Sequence, residues 1–443
     1  MTNLTKCSTR CLSLIVLFLL VAGSSAFAQT TAEQIDQLIK VYQENGQFNG
    51  SALVAHEGKV VHKAGYGWAN VEWDIPNAPD TKHRLGSITK QFTAMLILQL
   101  AEEGLLDLEA PITTYLPDYP KENGDRITTH QLLAHTSGTP NYTAMGDFFD
   151  EMSRDPYTPE EFVPIFADKE LDFEPGSQFS YSNSGYFLLG VIIEKLTNMT
   201  YEEALHHMIL EPAGMNNTGY DNHAPILKNR ATGYERQGGQ LVNSPYLDMS
   251  LPYAAGSMYS TAEDLFLWDQ ILYTNRLLSE AYMELYYKPA VKAWGPMHYA
   301  YGWTVGKEAI GNTPDSVYTI SHGGGINGFN TIISRTPSDK SVVVLLSNAG
   351  GAPLSDMAQS IRAILAGTTF DLPKKSLVRE MVAVAEAEGN EAGIAFFQQH
   401  KNDEDYDLDE GDMNNLGYQL MGAGDVATAA TVFKLNMDAF PNS

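Results

Sequence analysis

Ser87-Ile88-Thr89-Lys90 is the sharpest chemical feature of the sequence, and no other serine stands three residues before a lysine. At that spacing on a helix the two side chains share a face. A serine that opens a helix is surrounded by free backbone N–H groups and the positive end of the dipole. A hydroxyl is a weak nucleophile until a neighbouring amine activates it, and a lysine does so near neutral pH only if its pKa falls well below ~10.4. The blander alternative is a helix-capping serine beside a surface lysine. Two further motifs weigh against it. Tyr181 and Asn183, in Ser180-Tyr181-Ser182-Asn183, are expected to point the same way from an extended turn before a helix starting near Tyr186. A phenol there can shuttle a proton, and an amide can hold a carbonyl or the lysine. Ser321-His322-Gly323-Gly324-Gly325 is expected to end a strand. Its glycines allow close backbone approach, so that an N–H there can face the N–H of Ser87 across an oxyanion.

The elements that must position these groups are legible as periodicities. Ile35, Leu38, Ile39 and Tyr42 predict a helix over 32–45. Ser51–Ala55 and Val60–Tyr66 predict a hairpin about His56-Glu57-Gly58-Lys59. A helix from Ser87 to about Gly104 carries Phe92, Met95, Leu96 and Leu100 on one stripe. Helices are also expected at Tyr186–Leu196, Tyr201–Ile209 and Thr261–Leu272, the last capped by Thr261. Strands return at Tyr301–Val305, Ser316–Ser321, Thr331–Thr336 and Ser341–Ser347, followed by a helix at Met357–Leu365. Strands at both ends with helices between exclude a doubly wound repeat. They predict an α/β (α+β) domain: one antiparallel sheet built from both chain ends, flanking helices and a large all-α insert.

With the motif order in view, the sequence resembles the serine β-lactamase and penicillin-binding-protein superfamily, most closely its class C β-lactamase-like branch with DD-peptidase and esterase relatives. The run Ile127–Gly138, with its Leu132-Leu133-Ala134-His135-Thr136-Ser137-Gly138, the turn Phe173-Glu174-Pro175-Gly176 and the run Gly256–Leu265 also look like the family. The resemblance covers about residues 32–366. It implies Ser87 as acylated nucleophile, Lys90 as its partner, Tyr181 as proton shuttle and Asn183 as a substrate or lysine contact. His322, Gly323 and Gly324 stand where the family has Lys-Thr-Gly, and the backbone N–H groups of Ser87 and Gly325 would form the oxyanion hole. The departure matters. A fixed cation is replaced by His322, whose ordinary pKa near ~6.5 makes it cationic only part of the time. Esters or amides without a carboxylate gain weight, and carboxylate substrates are expected to improve as pH falls. No Ser-Asp-Asn is present, which disfavours a class A enzyme.

Composition bounds the rest. The 443 residues include 54 acidic and 28 basic ones, a charge of −26, so nucleic acid and anionic lipid are unlikely partners. Lys6 and Arg10, the apolar run from Leu12 to Ala22 and Ala26-Phe27-Ala28 predict a signal peptide over 1–28, cleaved after Ala28, with no stable membrane span and a periplasmic or secreted product. Its loss removes both cysteines, Cys7 and Cys11, so no disulfide, thiol nucleophile or thiolate metal site is expected. No His-Glu-x-x-His or Gly-x-Ser-x-Gly occurs; neither cofactor nor metal is expected. The predicted organisation is a hydrolase domain over 29–370 and a helical tail over 371–443. Within the tail Leu416, Gly417, Gly424, Ala429, Phe433 and Pro441 follow tetratricopeptide spacing, with two docked amphipathic helices as the equal alternative; the tail could hold a protein partner.

Several residues have plain structural readings. His130 and His135 are expected to donate to backbone, Trp303 to be core, and Tyr220-Asp221-Asn222 to be a loop. Asn327 and Phe329 either touch substrate or shape a turn. The reading that follows is an exported serine hydrolase acting on a small-molecule or peptide ester or amide. The competing classes are a β-lactamase proper, a non-catalytic cell-wall ligand-binding protein on the same fold, and a scaffold whose tail is the functional part.

Overall fold

The computed structural model describes residues 30–146, 148–237 and 240–441. The signal-peptide segment lies outside these. Helix α1 (Thr31–Glu44) opens on a capping box: the Thr30 side chain accepts from the Glu33 N–H, and the Glu33 carboxylate accepts from the Thr30 N–H. Its buried residues are Ile35, Leu38, Ile39 and Tyr42, the ones whose spacing predicted it. The hairpin β1 (Gly50–His56) and β2 (Lys59–Tyr66) turns at Glu57 and Gly58, both at positive φ, which matches the twist of the flanking strands.

Six later strands complete the sheet: β3 (Val291–Lys292), β4 (His298–Tyr299), β5 (Thr304–Ala309), β6 (Ser316–Ile326), β7 (Phe329–Thr336) and β8 (Ser341–Ser347). Their spatial order is β3-β4-β5-β6-β7-β8-β1-β2, every neighbour antiparallel. The first hairpin therefore joins the last strand, with Gly50 opposite Ser347. All seven residues of β8 are buried, because both faces of the sheet are covered. Val343 and Leu345 pack with α1 and α5 (Leu354–Leu365); Val342, Val344 and Leu346 face a larger core containing Phe92, Leu265 and Trp268. Double burial turns the alternation of a half-exposed strand into a continuous apolar run.

Helix α2 (Thr89–Glu102) departs from the expected single stripe. Every residue from Thr89 to Leu98 is buried, Lys90 included, because α2 is enclosed between the sheet and the insert. The insert holds α3 (Asn183–Thr197), which packs on α2, and α4 (Ala262–Ile271), capped by Thr261 as predicted. It is not all-α: Gly219–Tyr220, Tyr234–Gln237, Gln240–Asn243 and Met258–Ser260 are short strands. Strands of two to four residues are too short to establish a period-2 pattern.

The tail folds as two helical hairpins, α6 (Leu377–Glu388) with α7 (Asn390–His400) and α8 (Glu410–Gly422) with α9 (Val426–Ala439). They share a small core of Leu377, Met381, Phe397, Met413, Leu416 and Val432. A Cβ on Gly417 would lie 2.4 Å from the Phe433 ring, so the second hairpin closes only with glycine there. Arg379 ties the tail to the body by donating to the Gly46 carbonyl at 2.9 Å, and Asn45 donates to the Pro373 carbonyl.

Candidate active site

Ser87 lies in a 3₁₀ turn, Gly86–Ile88, that leads into α2; it is partly exposed, and Gly86 before it takes φ +54°. Lys90, one turn on, is fully buried. Its Nζ has three partners: Ser87 Oγ at 3.0 Å, Asn183 Oδ1 at 2.8 Å and the Ala255 carbonyl at 2.8 Å. Two of these can only accept. The Asn183 amide is oriented by its Nδ2, which donates to Thr143 Oγ1 at 3.1 Å. A neutral Lys90 thus spends both N–H bonds on carbonyl oxygens and turns its lone pair toward the Ser87 hydroxyl. Burial drives its pKa well below the ordinary lysine value, and among the described residues no carboxylate pairs with it to oppose that shift.

Asn183 is the first residue of α3, and the helix begins three residues earlier than its periodicity suggests. Ser182 is the extended N-cap residue, so Tyr181 and Asn183 straddle the helix start rather than sharing an extended turn. The Asn183 N–H and the Thr143 hydroxyl both donate to Asn141 Oδ1, which fixes the helix entry. The Tyr181 hydroxyl is buried without a hydrogen-bond partner of good geometry. Burial raises its pKa, and the neighbouring Ser87 hydroxyl offsets part of the rise. Lys90 Nζ lies 4.8 Å from the Tyr181 ring centroid.

Strand β6 does not end at the glycines, as the sequence suggested, but runs through them to Ile326. Beyond Ser321 it has β7 on one side only, because β5 stops opposite that residue. Asn327 and Gly328 form a two-residue loop between the paired Ile326 and Phe329, with Gly328 at φ +76°. The pair closing such a loop is hydrogen-bonded, so the next pair, Gly325 with Asn330, is not. The N–H and C=O of Gly325 therefore face the uncovered side, where Gly86 lies: a Cβ on Gly86 would stand 3.0 Å from Gly325 N. Gly324 is tighter still, since its Cβ would fall 1.9 Å from the Leu85 carbonyl oxygen. Gly323 has ordinary room.

His322 corrects the expectation of a part-time cation. It is buried; Nδ1 donates to the Gly323 carbonyl at 2.6 Å, so Nε2 accepts from the Tyr299 hydroxyl at 3.0 Å. Burial, and then the charge of Lys90, lower its pKa to about 4. At neutral pH the site presents an uncharged imidazole where Lys-Thr-Gly enzymes present an ammonium.

The cleft beside Ser87 is lined by Thr143, Phe149, Asn183, Leu247, Gly325 and Asn327, among others. No ionised side chain is among its described lining residues. Sequence reasoning missed the aromatic wall next to Tyr181. His135, at φ +56°, stacks 4.2 Å from the Tyr181 ring and accepts the Ser182 N–H at Nδ1; it accepts from backbone where donation was expected. His130 pairs with the Tyr301 hydroxyl instead of backbone. Tyr299 and Trp294 extend the wall, and neither carries a local signal. Trp303 is core as expected. Asp221 is a buried anchor for Arg84 and Arg230, Phe329 packs edge-on to His83, and Asn327 donates to the Pro245 carbonyl.

An antiparallel sheet covered on both faces thus carries a serine–lysine turn against the open edge of an inner strand. The family model described as Beta-lactamase matches residues 35–367, and the chain belongs to that family. It is 29% identical over 374 residues to a penicillin-binding protein of Bacillus subtilis, covering 80% of this chain and 81% of that one. The octameric penicillin-binding protein homologue from Pyrococcus abyssi superposes with a TM-score of 0.66 at 29% identity, over 80% of this chain and 81% of that one. A D-stereospecific amidohydrolase from a Streptomyces species gives 0.64 at 26% identity, over 76% and 99%. These relatives support an enzyme of the serine-hydrolase type. No helix among the described residues is long and apolar enough to cross a membrane.

Proposed function

We propose that the protein is an exported serine hydrolase that forms an acyl-enzyme at Ser87 on uncharged esters or amides. The observation that carries this is the buried Lys90, whose two carbonyl partners leave its lone pair to Ser87. Ser87 Oγ attacks the substrate carbonyl as its proton passes to Lys90 Nζ. The developing oxyanion takes hydrogen bonds from the Ser87 and Gly325 N–H groups. Tyr181 relays the proton to the leaving group, which departs as the neutral alcohol or amine. Water then attacks the ester at Ser87, giving its proton back through Tyr181 and Lys90, and the acid is released. Asn183 orients Lys90, and the neutral His322 with Gly323 and Gly324 forms the strand edge along which substrate lies.

The uncharged cleft and imidazole favour substrates without a carboxylate over β-lactams. The D-stereospecific amidohydrolase likeness adds D-amino-acid amides and short D-peptides to the candidates. In this reading residues 1–28 are removed on export, 29–370 carry catalysis, and the helical tail over 371–443, tetratricopeptide-like in its last hairpin, is accessory and offers a surface to a protein partner. A fluorophosphonate probe tests the proposal: one label, on the peptide holding Ser87, absent in Ser87→Ala. Loss of a hydroxyl at a helix start costs only about 1 kcal/mol, so the variant stays folded. Labelling at another serine would make Ser87 the wrong nucleophile, and no labelling at all leaves a non-catalytic binding protein. A panel of nitrocefin, a D-Ala-D-Ala peptide, a D-amino-acid amide and short p-nitrophenyl esters then ranks the substrates.

A further inference from the structure

We infer that Trp294, packed on Phe179 and backed by the buried Tyr299, forms an aromatic subsite for the leaving group, so that the preferred substrates are neutral esters or amides whose departing alcohol or amine carries a flat apolar ring. This rests on the acyl-enzyme reading above and goes further by assigning one side of the cleft. A proton relayed by Tyr181 goes to the leaving atom, so the leaving group must lie on Tyr181's side of Ser87. The cleft lined by Asn183, Phe149 and Leu247 includes neither Tyr181 nor Trp294, and is left to the acyl part.

On the Tyr181 side the structure places a cluster of aromatic rings. Trp294 lies 6.1 Å from the Tyr181 ring and edge-on to Phe179 at 5.0 Å and 85°. Tyr299 meets Tyr181 edge-on at 6.2 Å and donates to His322 Nε2 at 3.0 Å. Trp294 is 50% exposed although its neighbour Tyr299 is fully buried, so part of the indole is open to solvent in the ring cluster that includes Tyr181. Its position is braced, since the short loop between β3 and β4 is closed by Met297 N–H donating to the Trp294 carbonyl at 2.8 Å and Ala293 N–H donating to the Met297 carbonyl at 2.9 Å. An indole held in place with a free surface gains contact area at little entropic cost.

The test compares phenyl acetate with hexafluoroisopropyl acetate, a non-aromatic ester whose alcohol is of similar acidity. Both give the same acetyl-enzyme, so deacylation is common and the subsite is read in kcat/KM. Trp294→Ala should lower kcat/KM for phenyl acetate about three- to tenfold, leave the fluoroalkyl ester within about twofold, and leave kcat for both unchanged where deacylation limits. Trp294→Phe should keep most of the aromatic preference. An equal loss on both esters, or no loss on phenyl acetate, overturns the subsite. Fluorophosphonate labelling of Trp294→Ala separates the two readings: normal Ser87 labelling without aromatic discrimination sinks the subsite alone, whereas no labelling in either Trp294→Ala or the unmutated protein sinks the acyl-enzyme reading and the subsite with it.

Discussion

Gly324 lies against the carbonyl of Leu85 so closely that a Cβ would fall 1.9 Å from its oxygen. This contact presses strand β6 onto the turn that carries Ser87. The Thr331 hydroxyl, from the adjacent β7, donates to the same carbonyl at 2.7 Å. Strand and helix start are thereby registered to each other through one backbone oxygen.

Gly324→Ala must push the two apart. We expect a loss of about 1–3 kcal/mol in stability from overpacking, and about a 100-fold fall in Ser87 labelling rate from misplacement. Gly323→Ala is the control, because its Cβ meets nothing nearer than the Thr331 carbonyl at 3.5 Å. Denaturant melts and labelling rates on both variants check this; equal effects at the two glycines would sink the registration argument.

Lys90 gives the acylation rate its pH dependence. Burial lowers its pKa, so the neutral amine grows in as pH rises through a value below that of free lysine. The rate of acylation by a neutral ester should climb over that range. Stability should move the same way: the folded protein binds this proton less tightly than the unfolded chain, so unfolding free energy rises with pH from the folded pKa up to about 10.4. Lys90→Met should flatten this stability slope and lose activity. An unchanged slope in pH-dependent melts would place the titration elsewhere.

His322 acts at the acid end. Its folded pKa of about 4 lies below the ordinary value of 6.5. Its contribution to stability is therefore complete above about pH 6.5 and is lost as pH falls toward about 4, by up to about 3 kcal/mol. His322→Gln should soften acid unfolding relative to the unmutated protein over that window, although His83 and His135, also buried and lowered, keep part of the slope. Turnover of nitrocefin should not improve between about pH 8 and about pH 6, because His322 stays neutral throughout. A rise over that interval would contradict the neutral imidazole.

His135 holds the Tyr181 segment by accepting the Ser182 N–H at 3.1 Å from a backbone at φ +56°. Asparagine tolerates that backbone and can still accept the bond; phenylalanine keeps a ring but leaves the N–H orphaned. His135→Phe should lower kcat/KM about tenfold or more on every ester, and His135→Asn should recover most of it. If phenylalanine performs better than asparagine, stacking rather than the hydrogen bond positions Tyr181.

What the sequence determined by itself was local. Helix α1, the β1–β2 hairpin, the last two strands and the serine–lysine pair follow from spacings of a few residues, and spacing is what a chain states directly. The antiparallel sheet built from both ends was legible because strands bracket a helical stretch. Charge and exposure were decided by tertiary structure alone. The pKa of Lys90 is lowered because α2 is enclosed on every side, and that of His322 because it is buried, where Tyr299, from a two-residue strand without a signal of its own, donates to it. Gly325 faces the serine because β5 stops at Ser321 while β6 continues. A protonation state is set by desolvation and by partners brought from distant parts of the chain, so the same residues at the same spacing read as a surface lysine and a part-charged histidine until the packing around them is known.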